Sequence, residues 1–371
     1  MRIVNVLIVA AAFLFSPDLT AQGNLEGPLN ASDDKHNLLL THPTVNNLEV
    51  IVNLCSRGLI ELDGYRLAGI YHRQEQYDYS RSRAFLDTLS FEGPEIFLKA
   101  FDDSIGPGQL YRDNQLSDDY LTLFRESDGV VFFGGPDLPP EVYGEKTHLH
   151  TSIYDPYRHY FELSFLYHLL GGYQDTAREG WIARRPDYLV YGFCLGMQTM
   201  NVAAGGTMVQ DIPSEVYNLH YVEDVVKMDP NRLHRNYYNQ ISMEGDLLSG
   251  HFHRVLFKAG SLARKLKASD FRPMVYSNHH QALDEVGRGF RIVATSLDGK
   301  IVEGIAHSSY QNVIGVQFHP EAAFLYNDAT EYRMAPDDAA GFTGPGMLKK
   351  SASMEFHRLF WKDFERRLKQ E

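Results

Sequence analysis

The stretch YGFCLGMQTM, residues 191–200, follows directly on DYLV (187–190) and holds a cysteine between two glycines before passing into helical spacing. An apolar run, then Gly192-Phe193-Cys194-Leu195-Gly196, then a helix, has the pattern of a nucleophile elbow with cysteine in place of serine. Such a bend lifts the reactive side chain away from the backbone, and glycines two before and two after it remove side chains that would clash there. The helix that follows turns unpaired N–H groups and its positive end toward the sulfur, which favours the thiolate. The N–H of Leu195 is placed to stabilise an oxyanion. Taken alone, G-x-C-x-G also reads as a small buried cysteine beside helix-packing glycines.

Outward from the bend, strand-like YRLAGIY (65–71), PEIFLKAF (94–101) and GVVFF (129–133) alternate with helix-like SRSRAFLDTL (80–89), QLSDDYLTLFRES (115–127) and RHYFELSFLYHLL (158–170). This order predicts an α/β fold with a mostly parallel central sheet flanked by helices. Right-handed crossovers then set the C-terminal strand ends along one rim, where ligands bind in open α/β sheets. Farther on, RIVATS (291–296), KIVEGIAHS (300–308) and NVIGVQF (312–318) read as strands joined by short turns, the first at Asp298-Gly299. SASMEFHRLFWKDFERRL (351–368) is an amphipathic closing helix. The segment 210–270 has no clear period and reads as an insertion or a pocket wall.

A thiolate that attacks an acyl group needs a base, and the base needs a group to orient it. QFHPE (317–321) follows the strand NVIGV, so His319 can share the rim with Cys194. Glu321, two residues on and stiffened by Pro320, can accept from the imidazole and fix its tautomer.

Composition bounds the rest. The chain has 371 residues, is 44% hydrophobic and carries a formal charge of −13, which argues against a nucleic-acid partner. Residues 1–22, with Arg2 before a run of apolar residues and a small-residue exit, read as a cleaved signal peptide. The apolar run is short for a bilayer span, so no stable membrane insertion is expected after cleavage, and the mature chain would be periplasmic or secreted. Residues 23–45 read as a flexible lead-in and 46–371 as a single domain. Cys55 and Cys194 form no closely spaced pair of the zinc-binding kind, and Cys55 reads as a buried structural thiol. His251 and His253, flanking Phe252, read as a half-exposed strand rather than a metal site.

In order, YGFCLGMQ, NVAAGGTMVQDIP, SNHHQALDEVGRGFRIVATSLDGKIVEGI and GVQFHPE resemble the class I glutamine amidotransferase domains. Within these the sequence looks most like the gamma-glutamyl-GABA hydrolase group of stand-alone gamma-glutamyl hydrolases. GGPDLPPEVYGE (134–145) and DPYRHYFELSFL (155–166) fit that group as well. The resemblance implies a flavodoxin-like class I glutamine amidotransferase fold, with Cys194 as nucleophile, His319 as general base and acid, and Glu321 as its orienter. It implies an oxyanion hole from the amides of Gly135 and Leu195. Gln198 would hold the glutamyl part of a small gamma-glutamyl substrate, and His279, His280 and Gln281 would line the pocket. No metal and no organic cofactor is implied, and a homodimer is suggested. Phe318 stands where this group has Trp, Phe193 stands where an aliphatic residue is commoner, and export is unusual for it. The expected activity is hydrolysis of gamma-glutamyl amides through a thioester. The alternatives are a glutaminase or transferase component of a larger assembly, and a non-catalytic binding protein on the same fold.

Overall fold

A computed structural model describes residue 29 and residues 35–172, 178–258 and 272–370. Residues 1–22, read above as a signal peptide, lie outside them. Among the described residues, no helix is long and apolar enough to cross a membrane.

The first strand corrects the expected lead-in. β1 (His36–Thr41) lies inside the interval 23–45, yet it is an inner strand of the main sheet. It pairs in parallel with β2 (Tyr65–His72) on one side and β4 (Gly129–Phe132) on the other. An inner parallel strand is covered on both faces, so its sequence is a short continuous apolar run, here Leu38-Leu39-Leu40, without alternation. α1 (Val45–Ser56) follows at once, capped by Thr44, whose Oγ1 accepts from the N–H of Asn47. Cys55 is half-buried near its end, and burial with the nearby Asp63 and Glu365 raises its thiol pKa to about 12. Both cysteines are free.

The remaining predicted elements form where the periodicity placed them: α2 (Ser80–Thr88), β3 (Glu95–Phe101), α3 (Ser117–Arg125), α4 (Pro156–Leu170), β5 (Leu189–Phe193) and α5 (Leu195–Ala203). After the short β6 (Met208–Val209) come β7 (His251–Phe257), β8 (Met274–Ser277), β9 (Ala282–Leu283), β10 (Phe290–Ser296), β11 (Val302–His307) and β12 (Val313–Val316). α6 (Gly344–Lys350) and α7 (Met354–Leu368) close the chain.

The main sheet runs β3-β2-β1-β4-β5-β12-β11-β10-β7-β8. The first six strands are mutually parallel, and every pairing from β12 through β8 is antiparallel. The sheet is therefore mostly parallel, with an antiparallel extension. Side chains alternate between its faces. Leu39, Val130 and Val190 join α3, α4 and α5 in one core, while Leu38, Leu40, Val131, Tyr191 and Val316 join α1 and α7 in the other.

Of the segment 210–270, residues 259–270 lie outside the described residues, and the rest has two roles. Short turns at Ile212–Val216, Val222–Val225, Pro230–Arg232 and Tyr237–Gln240 form a wall, but β7 is an integral sheet strand. The half-exposed reading of His251 and His253 is also corrected. They do sit on a strand, and both rings are buried because the wall covers that face of the sheet, with the His234 ring centred 4.5 Å from that of His253.

Candidate active site

β5 and β12 are neighbouring parallel strands in register, with Val316 opposite Phe193, so the residues just past them emerge on the same rim. At the end of β5, Cys194 takes φ 49° and ψ −107°, a positive φ that L residues rarely adopt. Its N–H donates to the carbonyl of Val316 at 2.8 Å, which ties the bend to β12. Both flanking glycines are required by close approach. A Cβ on Gly192 would lie 2.6 Å from the Gly196 carbonyl carbon and from Met200 Sδ, and one on Gly196 would overlap the Phe132 carbonyl.

His319 stands just beyond β12, its N–H donating to the Tyr276 carbonyl at 2.8 Å. Its Nδ1 lies 2.6 Å from Oε1 of Glu321, which is buried. A methyl on Gly134 would lie 2.7 Å from His319 Cε1 and 3.5 Å from Cys194 Cβ, so ring and thiol border the same small space. Burial works against charge on the His319 ring. The Glu321 carboxylate and the Cys194 sulfur on its two sides outweigh that, and its pKa is held well above the ordinary value. The turn is fixed from behind: Tyr326 Oη donates to the Pro320 carbonyl at 2.6 Å, and Trp361 Nε1 of α7 donates to Tyr326 Oη at 2.9 Å. Phe193 and Phe318 belong to the same aromatic layer, against Trp361 and Phe360 respectively.

Gly135 and Leu195 also come together, since a Cβ on Gly135 would lie 2.9 Å from Leu195 Cδ2. What holds Gly135 there is Arg158, which sequence reasoning did not single out. Its guanidinium would overlap any Cβ on Gly135, and Nη2 donates to the carbonyls of Phe133 (2.9 Å) and Gly134 (3.1 Å). Nε donates to Glu162 Oε1 at 3.1 Å, and Thr41 Oγ1 donates to the same oxygen at 2.8 Å. Arg158 and Glu162 are 1% exposed each. The available signal was an Arg and a Glu four residues apart in α4, a helix of mostly aromatic and aliphatic residues.

Next to Cys194 lies a cavity of about 270 Å³, lined among others by Gly135, Asp137, Gln198, Arg235, Asn278 and His280. Gln198, buried one turn into α5, donates from Nε2 to Gln317 Oε1 (3.2 Å) and to the Gln281 carbonyl (3.4 Å), which fixes its amide. His280 bridges Asp137 (3.1 Å) and Asp211 (3.2 Å), joining the loop after β4 to the wall. Burial opposes its charge, but the hydrogen bonds and charges of the two carboxylates raise its pKa to about 9. His279 and Gln281 border the cavity but are almost wholly buried, and Nδ1 of His279 is 2.8 Å from the Gln281 carbonyl. Arg235, in the wall, was not anticipated. It lines both this cavity and a second one of about 230 Å³ that also includes Leu219, Tyr221 and Tyr237, and the two share His150 and His280.

YvdE of Lactococcus lactis, named a glutamine amidotransferase-like protein, is 28% identical over 208 residues, 55% of this chain and 69% of its own length. RP404 of Rickettsia prowazekii, with the same kind of name, is 28% identical over 223 residues, 55% of this chain and 74% of its own. Rv2859c of Mycobacterium tuberculosis, named as a candidate glutamine amidotransferase, is 28% identical over 215 residues; the match spans 58% of this chain but only 56% of that protein. A solved glutamine amidotransferase from Thermotoga maritima aligns with 90% of this chain and 98% of its own, at 13% identity and a TM-score of 0.39. The Peptidase C26 family matches residues 110–321, more than half of the chain and a span that runs from before Gly135 through Cys194 to Glu321. The chain thus belongs to the Peptidase C26 family, a family of hydrolase and amidotransferase character related to glutamine amidotransferases.

Proposed function

We propose that this protein hydrolyses gamma-glutamyl amide bonds, with Cys194 as nucleophile, His319 as proton carrier and Glu321 as the group that orients it. The observation that carries this reading is the convergence of the three side chains at adjoining strand ends, with Cys194 against the His319 ring and Glu321 on its other side. Cys194 lines the cavity described above, and His319 and Glu321 line a neighbouring one that shares Asn278 with it. The Cys194 thiolate adds to the side-chain carbonyl carbon of the glutamyl group, and the amides of Gly135 and Leu195 receive the oxyanion. As the C–N bond breaks, His319 gives its proton to the departing amine. Water, deprotonated by the same imidazole, then cleaves the thioester, releasing glutamate and restoring the thiol. Gln198 and Arg235 are suited to the glutamyl amino acid moiety, Arg235 by pairing its guanidinium with the α-carboxylate. The second cavity offers the leaving amine more room than ammonia needs, which favours a hydrolase of substituted amides over a glutaminase.

The test is to incubate the purified chain with gamma-glutamyl amides and, separately, with a glutamine-analogue electrophile, and to map the adduct by mass spectrometry. Steady release of glutamate with a single adduct on Cys194 is the expected result. A folded sample showing neither sinks the enzymatic reading, and an adduct with negligible turnover transfers support to the glutaminase component. In the same assay Glu321→Gln is expected to lower turnover about 10²-fold with an unchanged melting temperature, because the amide can present its N–H to Nδ1 and select the wrong tautomer. Turnover within twofold of the parent would remove Glu321 from its role.

A further inference from the structure

Beneath the SNHHQ loop, four side chains from separate segments meet in the interior: His234 of the wall, His253 of β7, His279 after β8 and Glu303 of β11. Their relative exposures are 2%, 0%, 5% and 0%, and one candidate ligand atom from each lies within 4.8 Å of all the others. Among the described residues, neither ring nitrogen of His234 and neither carboxylate oxygen of Glu303 has a hydrogen-bond partner. His234 Nδ1 is only 3.1 Å from Glu303 Oε1, so the two atoms are close without the alignment of a hydrogen bond. Two polar atoms at that separation that do not bond each other have the geometry of neighbours around a shared third atom. Tetrahedral zinc with bonds of about 2.0–2.1 Å sets its ligand atoms about 3.3 Å apart.

The outer contacts fit as well. His279 Nδ1 lies 2.8 Å from the Gln281 carbonyl, which leaves Nε2 without a partner among the described residues. A metal-bound histidine that donates its other N–H to a backbone carbonyl has this arrangement. His253 differs: its Nε2 is the nitrogen on the Glu303 side, 4.0 Å from Oε1, and lies 2.8 Å from Ser277 Oγ, a hydroxyl that can turn its hydrogen away, while Nδ1 has no partner among the described residues. The contrasting group of His42, Glu75 and Asp155 already uses its polar atoms in hydrogen bonds: His42 to Glu75 (2.6 Å), Glu75 Oε1 from the His72 N–H, and Asp155 from the Gln76 N–H.

We propose that His234, His253, His279 and Glu303 form a closed structural site for a divalent transition metal of the zinc type. Three imidazoles and one carboxylate suit such an ion, and the burial of all four marks a site without an open position for substrate. The ion fastens the 212–240 wall to the sheet behind the cavity. His234 and His279 are already joined through the His279 N–H and the His234 carbonyl at 3.0 Å, and the Glu303 carbonyl accepts from Gln317, two residues before His319. The site therefore braces the pocket wall and the His319 strand end from one point.

The test uses the full chain, dialysed against a chelator and titrated with zinc, with bound metal measured by elemental analysis and with cobalt(II) as a spectroscopic substitute. The expected result is about one metal per chain and a melting temperature that rises on zinc addition. Glu303→Gln and His253→Ala are expected to lower zinc affinity at least tenfold, whereas Cys194→Ser leaves it unchanged. A folded parent chain that takes up neither zinc nor cobalt overturns the proposal, as does uptake insensitive to Glu303→Gln. Should the variants fail to fold, the cobalt spectrum of the parent decides: tetrahedral bands without a thiolate charge-transfer band support the site, and a thiolate band overturns it. None of these measurements depends on turnover.

Discussion

Cys194→Ala is expected to lower glutamate release by at least about 10⁴-fold and to abolish the electrophile adduct, while the folded state persists. The change removes a single sulfur atom and leaves in place the main-chain hydrogen bond to Val316 that ties the bend to β12. All the loss therefore falls on the chemical step. His319 remains beside Glu321 in the variant, so substrate affinity measured by equilibrium binding stays close to that of the parent. Residual turnover within about 100-fold of the parent would mean that water, rather than sulfur, attacks the substrate, and the thioester would have to be abandoned.

Arg158→Met is expected to destabilise the fold by about 3–5 kcal/mol, read from denaturant midpoints, because it leaves the Glu162 carboxylate buried without its cation. The carbonyls of Phe133 and Gly134 lose their donor in the same change, so the turn bearing Gly135 loosens and turnover falls along with stability. Stability and positioning can be separated by adding Glu162→Met. The double variant removes both charges together and recovers most of the lost stability, but not the anchoring of the Gly135 turn. If the double variant recovers full turnover as well, Arg158 acts on stability alone.

Much of this was legible in the sequence because local patterns dictate it. Neither the elbow at 192–196 nor the HPE turn at 319–321 is decisive alone, but each follows a strand, and parallel pairing of β5 with β12 brings them together. The hairpin at Asp298-Gly299 was equally readable, since a short connection of residues 297–301, with Gly299 at φ 76°, joins its strands. β1 was missed because a three-leucine run preceded by NASDDKHN has neither the alternation of a half-exposed strand nor the length of a helix. Its identity as an inner strand depends on β2 and β4, which lie far along the chain. Arg158, Arg235 and the four-residue cluster were hidden for the same reason: each has meaning only through partners that the fold supplies. His253 was read with its neighbour His251, whereas its actual companions come from the wall, the loop after β8 and the start of β11.

The backbone at Cys194 sets two selective pressures against each other. At φ 49° a residue without a side chain would sit there with less strain than cysteine does. Drift toward greater robustness alone would therefore favour glycine at this position and erase the sulfur first. A lineage that retains the thiol here is one in which the reaction has continued to matter more than durability.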